Sequence, residues 1–289
     1  MNSNISPKDS GLARAVDLRY LRIGGAYAVG GAFTQVGTEK VFVPIPSVAS
    51  VELPLTGGLS TDKSSRFSLT ASKARFGPKV KGVAKLRRTQ LLTVASASAT
   101  CQSKHVPLGD PIESSISVDV RGVRVEGGFG LRSAVLNLRS VHTPTEPYPR
   151  IKFGATNIVG MTLGKLKVTV ELDLDAFNTY PTLQTLEPAL LNGDNRISSQ
   201  VRRSFLRDSN GNLHRNQSGY TFGSLVKSIK GVPPDWIEEN GYTIDWPGFG
   251  KVILGEILVG AFVRRVILVR LKHCDIEIGG GCGGGSTWP

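Results

Sequence analysis

Cysteine is scarce, with Cys101, Cys274 and Cys282 the only three in 289 residues. Their odd number and irregular spacing exclude a disulfide framework and fit no zinc-ligand pattern, so three reduced thiols are expected. No charge-free apolar run reaches the roughly 18 residues of a helical membrane span. The nearest, Val252 to Val263, is interrupted by Glu256. The opening MNSNISPKDS is polar and has no apolar core of the secretory kind. A cytoplasmic protein without a transmembrane segment is therefore expected. The dinucleotide fingerprint GxGxxG, the phosphate loop GxxxxGK[ST], the zinc motif HExxH and the nucleophile elbow GxSxG are all missing. No cofactor is expected, and the common motif-borne mechanisms have no basis in the chain.

Charged residues at 20% and apolar residues at 40% exclude wholesale disorder. The 34 glycines follow no three-residue period, which excludes a collagen helix. They instead punctuate V/I/L-rich blocks: VDVRGVRVEGGFGLRSAVLNL, TNIVGMTLGKLKVTVELDL and GKVILGEILVGAFVRRVILVRL. The pairs Gly24–Gly25 and Gly30–Gly31 read as turns between short strands, and Gly77–Pro78 as a turn inside the basic region.

Strict alternation is clearest where Ile116, Val118 and Val120 alternate with Ser117, Asp119 and Arg121. It recurs where Leu166, Val168, Val170, Leu172 and Leu174 alternate with Lys165, Lys167, Thr169, Glu171 and Asp173. Val266 to Leu271 is apolar on both faces, as a central strand is. A short helix is expected over residues 181–191. Thr182 can cap it, Leu183, Leu186, Leu190 and Leu191 supply an apolar face, and Pro188 limits its length. These signals predict an all-β fold: a multi-hairpin antiparallel sandwich or partly closed barrel with minor helical or irregular insertions. It should span residues 11–279 as one domain or two packed subdomains, followed by a flexible tail at 280–289.

The charge distribution carries the functional signal. From Lys63 to Arg88 there are nine cations and no acid: Lys63, Arg66, Lys73, Arg75, Lys79, Lys81, Lys85, Arg87 and Arg88. From Glu171 to Asp194 there are five acids and no Lys or Arg. On a continuing strand, Glu171, Asp173 and Asp175 would share one face; a solvated strand face is the first reading, with a cationic surface, a hard metal ion or a proton-transfer task as alternatives. His273–Cys274–Asp275 is the most chemically suggestive triplet, with Cys282 as a distant fourth ligand. Immediate neighbours on a strand point to opposite faces, however, so the triplet reads first as a polar edge beside a buried thiol. Phe67 and Phe76 could stack nucleic-acid bases beside the cations, or pack in the core. Tyr242, Trp246 and Phe249 could line a ligand groove, but a hydrophobic loop anchor is the favoured reading.

Three functional readings follow. The first is a non-enzymatic assembly or protein-binding scaffold, a homo-oligomer or a partner of another protein, held by complementary charged surfaces. The second is a nucleic-acid-binding module. The third is an enzyme whose catalytic groups carry no recognised motif.

Overall fold

A computed structural model of the chain describes residues 20–36, 39–54, 57–74, 83–104, 110–143 and 145–287. Seventeen strands dominate: β1 (Tyr20–Val36), β2 (Glu39–Glu52), β3 (Gly58–Ser64), β4 (Phe67–Thr70), β5 (Gln90–Val94), β6 (Ser96–Ser103), β7 (Ile112–Val125), β8 (Phe129–His142), β9 (Arg150–Phe153), β10 (Asn157–Leu163), β11 (Leu166–Leu172), β12 (Thr221–Ser224), β13 (Val226–Lys230), β14 (Thr243–Trp246), β15 (Gly250–Val259), β16 (Val263–Leu271) and β17 (Ile276–Thr287). Four short helices accompany them: α1 (Val83–Arg87), α2 (Leu174–Thr179), α3 (Leu183–Leu191) and α4 (Ser199–Ser204).

The strands form two sheets. One has the order β12-β15-β16-β17-β1-β2, with β14 also paired to β15. The other runs β13-β11-β10-β8-β7-β5-β4, with β6 joining β3 to β7 and β9 added on β8. Each of these pairings is antiparallel. The sheets do not close into a barrel, so the fold is a multi-hairpin sandwich. One side is stitched where β12 passes into β13. Leu225 N–H donates to Gly255 O of the first sheet, and Leu225 O accepts from Asp173 N–H next to β11 of the second. The strand thereby changes sheet at a single residue.

The faces meet where β1 and β17 lie over β7 and β8. The centre of that contact is made by glycine. A Cβ on Gly281 would sit 2.8 Å from Leu136 Cδ2, and one on Gly283 would sit 3.1 Å from Ile116 Cδ1. The bare backbone of β17 lets the apolar side chains of the second sheet approach it closely. One hydrophobic cluster runs through both sheets, from Ala26 to Ile278, and includes Val118, Val120, Leu136, Val252 and Leu268.

Two expectations are corrected here. Residues 280–287 are not a tail; they pair with β1 on one side and, through Gly284, with β16 on the other. Low complexity hid a strand whose small residues are required by the sheet opposite. The glycines within the V/I/L-rich blocks also do not separate short strands. Gly24–Gly25 and Gly30–Gly31 lie inside the single strand β1. Gly255 (φ 58°) and Gly279 (φ 67°) adopt left-handed backbone inside β15 and β17, a conformation that glycine enters without steric cost. The in–out alternation inverts there: Val252 and Leu254 before Gly255, and Ile257 and Val259 after it, are all buried. Gly122 does the same in β7, between buried Val120 and buried Val123.

Residues 173–204 form a helical insertion between β11 and β12. The Thr182 hydroxyl accepts from Thr185 N–H at 3.2 Å and opens α3, as the sequence predicts, and Ser198 caps α4. Arg264 on β16 pins the insertion to the sandwich. Its guanidinium is buried and donates to Ile151 O (2.8 Å), Phe177 O (3.3 Å) and Tyr180 O (2.7 Å), with the Phe177 ring 5.7 Å away. Burial pushes its pKa down to about 9, which leaves it protonated at neutral pH.

Candidate functional site

The basic region splits in the structure. Lys63 sits on β3, Arg66 at the break between β3 and β4, Lys85 and Arg87 on α1, and Arg88 immediately after it. All five side chains are exposed. Arg75, Lys79, Lys81, Phe76 and the Gly77–Pro78 turn lie outside the described residues. Lys73 ends a 3-10 turn, Ala71–Lys73. Lys85 is therefore on a helix. Its placement follows from Leu86, which packs against the core and orients one side of α1 inward. Basic residues in the last turn of α1 also suit the negative end of its dipole.

Among the described residues, none of these five cations makes an ion pair or hydrogen bond with a carboxylate. Asp62, the acid adjacent to Lys63, is engaged elsewhere and accepts from Ser50 N–H at 2.9 Å. β3 and β4 border the second sheet, so the cations lie along a sheet edge and the hairpin loop that continues it. Positive charge left uncompensated in this way projects a field that attracts anionic surfaces. Phe67 does not join the exposed set; it is half-buried and packs against the core.

The acidic block does not form the expected shared face. β11 ends at Leu172, and the chain turns there into α2. Glu171 accepts from Lys227 Nζ (3.0 Å) and Ser228 Oγ (3.0 Å) on the neighbouring strand, and the Lys227 bond lowers its pKa. Asp173 becomes the cap of α2, accepting from Ala176 N–H (3.4 Å) and Ser198 N–H (2.9 Å). Asp175 is exposed in the first turn of α2. Helix initiation at Asp173 won over strand continuation because a carboxylate satisfies amides that a new helix leaves open. Among the described residues, no group of three or more His, Cys, Asp or Glu side chains is placed to hold a metal ion.

His273 and Cys274 occupy the turn between β16 and β17. Cys274 is buried, and burial pushes its thiol up to about 12, far from a reactive thiolate. Cys282 is six residues along β17 from Ile276, which at strand rise is roughly 20 Å. It cannot complete a site with the turn. The His273 ring instead ends an aromatic stack: Trp246 and Phe249 lie parallel with centroids 4.6 Å apart, and Phe249 is 5.5 Å from His273. Phe249 is buried, and Tyr242 and Trp246 pack against the core. These aromatics pack as hydrophobic anchors, the favoured reading of the sequence, rather than lining a groove together. A hollow of about 170 Å³ beside them is lined by Phe33, Glu126, Phe249, His273 and Cys274.

The largest charge network was not legible in the sequence. On the outer face of the first sheet, Arg270 meets Glu256 (3.2 Å) and Glu277 (2.9 Å), and Arg265 meets Glu277 (3.2 Å). Tyr27 OH donates to Glu277, and burial foremost pushes its pKa up to about 12. The Tyr27 ring covers Gly280 on the adjacent strand, where a Cβ would come within 2.0 Å of it. Here the cations and acids neutralise one another. At the basic edge, by contrast, five cations stand close in sequence with no acid between them.

Residues 20–260 match the model of a family described as a domain of unknown function, DUF8256, and the chain belongs to that family. No curated protein and no solved structure matches the chain.

Proposed function

We propose that this protein is a non-enzymatic binding scaffold whose basic edge engages an acidic protein surface. One observation carries the reading: Lys63, Arg66, Lys85, Arg87 and Arg88 are exposed without a carboxylate partner among the described residues, while Glu171 and Asp173 are engaged internally. Complementary pairing of the two blocks across identical protomers is thereby disfavoured, since Glu171 and Asp173 are already engaged and only Asp175 of the three is left exposed. The acceptor is a second protein. The rigid two-sheet frame supports this role, because a fixed edge holds the cations in register with little ordering cost on binding. The packing of half-buried Phe67 against the core favours a protein partner over single-stranded nucleic acid, whose binding draws on exposed stacking platforms.

The test is fluorescence anisotropy with a labelled glutamate-rich peptide, and separately with a labelled DNA duplex, at about 50 and about 300 mM salt. The expected result is peptide binding at low salt that the double reversal Arg87→Glu/Arg88→Glu abolishes. The reversal Arg139→Glu/Lys152→Glu, away from the edge, should leave it intact. Binding that tracks both reversals equally would reduce the effect to net charge and reject the site. Tighter, steeply salt-dependent binding of duplex at the same edge would transfer the reading to nucleic acid. Absence of binding to either probe at low salt rejects both.

A further inference from the structure

We propose that a groove walled by α3 and the β15–β16 turn is a binding site for a neutral saccharide. The groove encloses about 320 Å³, at the lower end of the range for small-ligand sites. Its walls come from four separate segments: α3, the stretch around Tyr148, the loop from Arg215 to Tyr220, and the turn Gly260–Phe262.

Three aromatic rings line it. Tyr148 and Phe262 pack with centroids 5.3 Å apart. The edge of the Tyr220 ring abuts Gly260, where a Cβ would stand 2.3 Å from its Cε1. The glycine creates the seat for this ring. The loop that carries Tyr220 is set before any ligand arrives: Asn216 Oδ1 accepts from Ser218 N–H (3.0 Å) and Tyr220 N–H (3.0 Å), and Asn216 N–H donates to Tyr220 O (2.9 Å). The α3 wall is fixed through Arg264, which holds the carbonyls of Phe177 and Tyr180 just before it.

The polar groups select the ligand class. Among the described residues, Glu187 and Arg215 are the only charged ones lining the groove, and they pair with each other. A phosphate or carboxylate would find no free cation, and a metal ion no second carboxylate. A purely hydrocarbon ligand would cover hydroxyl and amide groups that lack partners: the Tyr148 and Tyr220 hydroxyls, the Gln184 amide and Ser218 Oγ make no hydrogen bond among the described residues. Burying such groups unpaired opposes binding. A sugar ring meets both demands, since it offers a C–H face to aromatic rings and hydroxyls to amide, hydroxyl and carboxylate.

The experiment is titration of the full chain with maltose, cellobiose, lactose and chitobiose, followed by saturation-transfer NMR and calorimetry. Saturable binding of at least one is expected, with an affinity unchanged between about 50 and about 500 mM salt because the site is neutral. Tyr220→Ala and Tyr148→Ala, each checked for an unaltered melting temperature, should weaken it about tenfold or more. Gly260→Ala should do the same by displacing Tyr220 without removing any polar group. Failure of all four sugars to saturate at about 20 mM, a range that spans millimolar affinities, overturns the proposal. So does binding that survives both tyrosine variants, or binding that salt abolishes.

Discussion

Ending the chain after Gly279 should abolish folding rather than trim a tail. The deletion removes thirteen paired backbone positions: eight against β1, from Tyr20↔Thr287 to Tyr27↔Gly280, and five against β16, from Val263↔Gly284 to Ile267↔Gly280. At a net value of roughly 1 kcal/mol per ladder hydrogen bond, the loss is on the order of 13 kcal/mol. That matches the entire stability of a typical domain, about 5–15 kcal/mol. It would also open the sandwich centre, where Ile116, Leu136 and Leu138 cover β17. Thermal unfolding followed by far-UV circular dichroism is the assay, with intact chain beside truncated chain. A truncated chain that is soluble and melts within about 2 °C of the parent, less than about 1 kcal/mol at this size, would refute the placement of β17.

Point variants refine the same test without removing chain. Gly281→Val substitutes a strong strand former into a strand, so propensity alone predicts a gain. The Leu136 methyl would lie 2.8 Å from the new Cβ, and overpacking there should cost about 1–3 kcal/mol. Gly284→Ala should cost at least that much, because its Cβ would meet the Phe262 carbonyl at 2.0 Å and backbone cannot step aside as a side chain can. Gly25→Ala is the control in the partner strand: its nearest neighbour, Val51 O, is 3.8 Å away, and the change should be neutral or slightly stabilising. Equal melting temperatures for all three variants would sink the reasoning.

Other outcomes follow from single contacts. Arg264→Met should lower stability by about 2–4 kcal/mol in urea titrations, because three buried carbonyls lose a charged donor at once. Asp173→Ala should cost about 1–2 kcal/mol through loss of the α2 cap and the Ser198 bond, and Asp173→Asn should recover part of it. Burial pushes the thiols of Cys101 and Cys274 up to about 12, so both should resist iodoacetamide near pH 8 in the folded chain and react on unfolding, as read by mass spectrometry. Their raised values make the folded state hold protons that the unfolded thiols release from about pH 9. This contribution is complete below pH 9 and disappears as pH rises through about 12, so alkaline unfolding should steepen in that window.

The sequence was most readable where local rules and burial agreed. Val266 to Leu271, apolar on both faces, is the inner part of β16 with β15 and β17 on its sides. Thr182 caps α3 because its hydroxyl needs only the amide three residues on. The alternation from Leu166 is β11, but it stops at Leu172, where the polar positions that mark a strand face become helix-capping positions. Period-two reading fails at Gly122, Gly255 and Gly279 for one reason: a left-handed residue shifts the phase, so two apolar sets on one buried face look out of step. The glycine run in β17 is the extreme case. What specifies it is the absence of side chains demanded by Leu136 and Ile116, which are more than a hundred residues away.

Charge was countable in the sequence, but its fate was not. Arg264 and Arg265 are neighbours and contribute equally to the formal +12. One is buried and held by three backbone carbonyls; the other lies on the outer face beside Glu277 and Tyr27. Lys227 and Glu171 likewise cancel across 56 residues of chain. Net charge therefore overstates the field at most of the surface and understates how strongly it is concentrated. The edge carrying Lys63, Arg66, Lys85, Arg87 and Arg88 differs from these regions by composition: between Lys63 and Arg88 no acid was available to pair locally, and the nearest, Asp62, is spent on the Ser50 amide. A run without acids is informative about a surface only once the fold has failed to bring acids to it from elsewhere. Among the described residues that condition is met at this edge, and it is not met at the arginines of β16.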